Sequence, residues 1–168
     1  MFQKLIATRN DWAGLILRLP LGTVMIYHGL QKAVGWFGGF GFSNTMHFFT
    51  DTVHIPWLIG LLTIGIETIG AIGLLLGLLG RINALATFAV MLGAMLTTHL
   101  PFGFSMNWFG NQKGEGYEMD LLIFGMSLAL LFIGSGRYSI DRLLMRRAGA
   151  SEKNPASQPQ PQTATFLR

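Results

Sequence analysis

The chain contains no cysteine. Disulfides, thiol redox relays, zinc-thiolate sites and cysteine-ligated clusters are therefore excluded within this subunit, and any redox role needs a borrowed cofactor. Charge is scarce as well. Asp, Glu, Lys and Arg make up 12% of the 168 residues, about half the ~25% usual in soluble domains, which argues strongly against a soluble enzyme. A net charge of +4 at pH 7 raises the question of nucleic acid, but the basic residues are spread along the chain beside apolar stretches rather than gathered in one patch. No nucleic-acid partner is expected.

What is abundant is apolar. Hydrophobic residues reach 51% and mean hydropathy is +0.46. The 22 glycines, roughly twice the average usage, suit close helix packing in lipid. A hydrocarbon core about 30 Å thick takes about 20 apolar residues in a helix. Four stretches approach that length, at about 12–34, 57–79, 82–100 and 118–136. Arg18 and Pro20 interrupt the first, which is read as a retained helix rather than a cleaved signal. Glycines at 60, 65, 70, 73, 77 and 80 make the second stretch the expected central packing helix, with Gly73 and Gly77 at close-approach spacing.

The expected fold is an all-α membrane protein, a four-helix transmembrane bundle with two membrane-lying outer loops. Lys4, Arg9, Arg81, Arg137, Arg142, Arg146 and Arg147 all fall at one end of such a bundle, so that end is expected to be cytoplasmic, with both termini. The opposite loops, 35–56 and 101–117, are rich in Phe and Trp and are expected at headgroup level. The transmembrane domain covers residues 1–147, and residues 148–168, with three of the six prolines, are expected to form a disordered cytoplasmic tail.

An ionisable side chain inside a membrane span is costly unless paired or hydrated. At 100° per residue Arg18, His28 and Lys32 share one side of the first helix. Pro20 removes the donor to the Ile16 carbonyl and predicts a kink near Arg18. Glu67, near the middle of the second helix, either pairs with Arg18 or holds a proton, so a register-fixing ion pair and a catalytic carboxylate both stand. A second group gathers His28, Lys32, His99, Glu118 and Asp120 toward the outer face. For Asp120 and Glu118, placement in a helix's first turn already has an explanation in the helix dipole. The spacing matches no metal-ligand signature, so no metal site is expected. The same groups suit proton transfer to a quinone carbonyl, with His28, Glu67, His99 and Glu118 as candidate catalytic residues and His28, Lys32 and His99 as candidate quinone-binding residues.

The order and spacing of several short motifs resemble the DoxX family: Arg18 followed by Gly22, His28-Gly29-Leu30-Gln31-Lys32, Glu67 before Gly77-Leu78-Leu79-Gly80-Arg81, and Gly134-Ser135-Gly136-Arg137-Tyr138-Ser139-Ile140-Asp141. The resemblance covers about residues 10–142. It implies a small four-helix protein of the bacterial cytoplasmic membrane, related to the membrane subunit of thiosulfate:quinone oxidoreductase, redox-associated and quinone-linked. A redox partner protein would supply electrons, since the chain has no motif for an intrinsic cofactor. A non-enzymatic membrane scaffold or a small-solute or proton carrier is the rival expectation, and a homo-oligomer is left open by either.

Overall fold

The computed structural model describes residues 5–152, and everything described is helix, turn or loop, with no strand. Helix α1 spans Ala13–Val34 and α2 spans Gly41–His47, widening into a π-helical turn at Phe48–Thr52. Helix α3 spans Trp57–Leu76 and α4 spans Gly80–Phe102. Helices α5 and α6 span Glu118–Ile133 and Ile140–Glu152.

Backbone chemistry sets these limits. Helix α1 stops at Gly35, whose left-handed conformation (φ +77°) lets its N–H return to the Leu30 carbonyl. Pro56, extended and donor-free, opens α3, which ends at Gly77 (φ +64°). Three helices, α1, α3 and α4, are long and apolar enough to cross a membrane. The fourth expected span is shorter than its apolar run suggested. Gly134, at φ +80°, breaks α5 after 16 residues, about 24 Å of helix against the ~30 Å of a bilayer core.

Residues from α1, α3, α4 and α5 meet in one core: Leu21, Met25, Ala71, Leu74, Ala84, Ile123 and Leu130. Helix α1 packs on α2, α3 and α5, and α3 packs on α1, α2 and α4, so the two share the central place. Its closest approach is at Gly29, where a Cβ would overlap the backbone carbonyl of Glu67. Gly73 and Gly77 serve otherwise, the first lying against the Asn83 side chain and the second against Ser139. The outward faces carry large apolar side chains such as Ile16, Leu58, Leu62, Ile69 and Phe132, the surface a lipid environment solvates.

Helix α6 lies where the sequence suggested no element, and it carries helical structure to Glu152, into the expected tail. The rest of that tail, 153–168, lies outside the described residues.

Candidate functional site

Glu67 sits in a π-helical turn, Ile66–Gly70, inside α3. A wide turn of this kind rotates the side chains that follow it and recurs at functional sites. Glu67 is buried, with 5% of its surface exposed, and its Oε2 accepts a 2.5 Å hydrogen bond from Lys32 Nζ. Lys32 is half-buried and lies about one turn beyond Gly29, so the contact that brings the two backbones together also sets the length of this ion pair. The pair satisfies a carboxylate that would otherwise be strongly disfavoured in a span.

Arg18 is not the partner of Glu67, contrary to the sequence expectation. Helices α1 and α3 run antiparallel, with Gly29 against Glu67 and Gly22 against Ala71 and Leu75. That register puts Arg18 opposite Leu74 and Leu75, about 12 Å along α3 from Glu67. The fully buried guanidinium donates to the carbonyls of Leu74 (3.0 Å), Leu75, Ser135 (3.0 Å) and Tyr138 (2.8 Å). Arg18 thereby caps the C-terminal end of α3, where a cation matches the helix dipole. Asp141 completes the arrangement from the other side. Its carboxylate accepts from the N–H groups of Leu79 (2.7 Å) and Gly80 (2.9 Å), capping the start of α4, and from Ser135 Oγ (2.6 Å). The two buried charges tie α1, the α3–α4 turn and the 134–141 segment together. Sequence reading placed Asp141 only within a motif and gave it no role.

At the Glu67 end, His99 also occupies a π-helical turn, Met95–His99, at the end of α4. Its Nδ1 lies 2.7 Å from Asp120 Oδ2. Asp120 is 1% exposed, and its Oδ1 has no hydrogen-bond partner among the described residues. A first-turn carboxylate this deeply buried is more than a complement to the helix dipole, and the sequence offered no signal of its burial. Glu118 plays a different part. It accepts from the Met106 N–H (3.2 Å) and Trp108 Nε1 (3.4 Å), pinning the 103–117 loop rather than facing the other acids. His28 lies toward the outside of α1, with Nδ1 3.1 Å from Gln31 Oε1.

Beside Lys32 opens a cavity of about 240 Å³, walled by Gln31, Phe40, Thr45, Phe48 and Phe49. Thr45 is buried and its hydroxyl has no partner among the described residues. Most threonines of the membrane helices behave otherwise: Thr23, Thr63, Thr68 and Thr97 each donate to the carbonyl four residues back. The cavity thus combines aromatic faces with the Lys32 side chain, and the Thr45 hydroxyl lies buried in its wall.

The family model described as DoxX matches residues 13–100, more than half of the chain. The chain belongs to the DoxX family. The match takes in Arg18, His28, Lys32, Glu67 and His99, while Asp120 and Asp141 lie beyond it. This DoxX protein is also 28% identical over 132 residues, 79% of its length and 87% of the relative's, to a protein of Bacillus subtilis (strain 168) described as "Putative oxidoreductase CatD". No solved structure matches it.

Proposed function

We propose that this DoxX protein is a quinone-linked membrane redox subunit, with its quinone ring in the Lys32–Thr45 cavity and its electrons drawn from a partner protein. One observation carries the proposal: Lys32, ion-paired to the buried Glu67, lines an aromatic-walled cavity beside the buried Thr45 hydroxyl, which has no partner among the described residues. Phe40, Phe48 and Phe49 offer faces for a flat ring, and Lys32 Nζ and, once turned toward the ring, Thr45 Oγ1 offer donors to its carbonyl oxygens. Reduction of a quinone to the quinol takes two electrons and two protons, one proton on each oxygen. Lys32, backed by Glu67, delivers the first proton, and the His99–Asp120 pair relays the second from water at the same face. The oxidoreductase description of the Bacillus subtilis relative agrees with this class of chemistry.

In this reading α5 completes a fourth span, the arginine-rich end faces the cytoplasm, and the membrane is the bacterial inner membrane. The test is purification with native lipid, followed by extraction and quantitation of bound quinone. The reading expects quinone near one per chain in the native protein and a loss in Thr45→Val and Lys32→Met. Absence of quinone from native protein, together with unchanged quinone-linked respiration in both variants, contradicts it.

A further inference from the structure

The opposite end of the bundle holds a second cavity, of about 250 Å³, that the quinone chemistry does not use. Arg137, Arg142 and Arg146 line it, with Tyr138, Ser139 and Leu143 between them. Among the described residues the arginines at this end fall into two kinds. Arg18 and Arg81 spend their donors on backbone carbonyls, Arg81 on those of Ala7 and Phe132. The side chains of Arg137, Arg142 and Arg146 donate no hydrogen bond and form no ion pair among the described residues. The nearby acids are already committed. Asp141 is turned inward with both oxygens occupied, and the Asp11 carboxylate accepts from the Gly14 N–H. Desolvation, then repulsion from Arg146 and Arg137, holds the Arg142 guanidinium below its ordinary pKa, though it stays cationic.

Three guanidinium groups around one small space form a receptor for an anion, and the forked geometry of each matches phosphate oxygens. The surroundings decide which phosphate. The Arg137 guanidinium stacks 4.9 Å over the Trp12 ring and 5.9 Å over that of Tyr138, and both rings are exposed. Trp and Tyr in such positions mark the headgroup level of a bilayer. Just beyond them, at the start of α1 and the end of α5, Ile16 and Phe132 present exposed apolar side chains that acyl chains would cover. Helix α6 itself alternates Arg142, Arg146 and Arg147 with Leu143, Leu144 and Met145, the composition of a helix lying along a membrane surface.

We propose that this cavity binds the headgroup phosphate of an anionic phospholipid, gripped by Arg137, Arg142 and Arg146. The lipid locks α6 against the ends of α1 and α5 and anchors the bundle at this face. A basic pocket of this kind, beside the membrane-facing ends of α1 and α5, is suited to anionic headgroups over zwitterionic ones.

The test uses the full chain, delipidated in mild detergent, and follows thermal unfolding with phosphatidylglycerol, phosphatidylcholine or inorganic phosphate at matched phosphate concentration. Phosphatidylglycerol is expected to raise Tm by several degrees, phosphatidylcholine and inorganic phosphate by much less, with the increment shrinking at high salt. The Arg142→Gln/Arg146→Gln variant should lose the increment, whereas Arg9→Gln, at the same end of the bundle, should keep it. An equal response to phosphatidylcholine, an equal response to inorganic phosphate, or an undiminished response in the double variant overturns the proposal. Should the double variant not fold, a photoreactive phosphatidylglycerol on the wild type decides: label within 137–146 supports the site, and label confined elsewhere overturns it.

Discussion

Gly29 rests on the backbone of Glu67, and this one contact determines which cation the carboxylate finds. With α1 and α3 this close, Lys32 reaches Glu67 at 2.5 Å while Arg18 is carried to the far end of α3. Gly29→Ala puts a methyl group into the Glu67 carbonyl and must part the helices, a cost of about 1–3 kcal/mol. Gly65→Ala, where the space is open, should leave stability unchanged or slightly raised. Thermal unfolding of the two variants in detergent checks the contrast.

The Lys32–Glu67 pair should show its coupling in a double-mutant cycle. Lys32→Met strands a buried carboxylate and is expected to destabilise by about 3 kcal/mol, while Lys32→Met/Glu67→Gln should cost less than the two single changes added together. The same cycle with Arg18→Met and Glu67→Gln should be additive. Coupling between Arg18 and Glu67 would contradict the register.

Arg18 and Asp141 hold the other end. Each satisfies several buried backbone groups, so Arg18→Met and Asp141→Ala should each lower stability by about 3 kcal/mol or more, without displacing bound quinone. Calorimetry or unfolding in detergent, combined with quinone extraction, separates this structural role from a catalytic one.

The long helices α1, α3, α4 and α5 were legible in the sequence because apolar runs and glycine or proline stops act locally, whereas the short α2 and the arginine-rich α6 carry no such run. The family motifs, and the crowding of arginines at one end, were legible for the same reason. The partner of Glu67 was not. Matching the middles of two helices supposes that they are centred on each other, and only the fit of Gly29 and Gly22 against α3 shows the true offset. The π-helical turns that carry Glu67 and His99 leave no mark in apolar periodicity, and the burial of Asp120 depends on its packing across to α4 and His99.

Thr87 is fully buried, and its hydroxyl has no partner among the described residues. Replacing an unsatisfied hydroxyl by an apolar group of the same shape removes its desolvation cost, so Thr87→Val should stabilise by about 1 kcal/mol. A loss of stability would show that the hydroxyl is hydrogen-bonded to an internal water.

The most direct test of the whole account is photolabelling of native membranes with an azidoquinone, followed by peptide mapping. The account predicts label within residues 31–49, which carry the cavity wall, and its disappearance when excess unlabelled quinone competes. Label absent from that segment, or confined to α6 at the arginine-rich end, would contradict it.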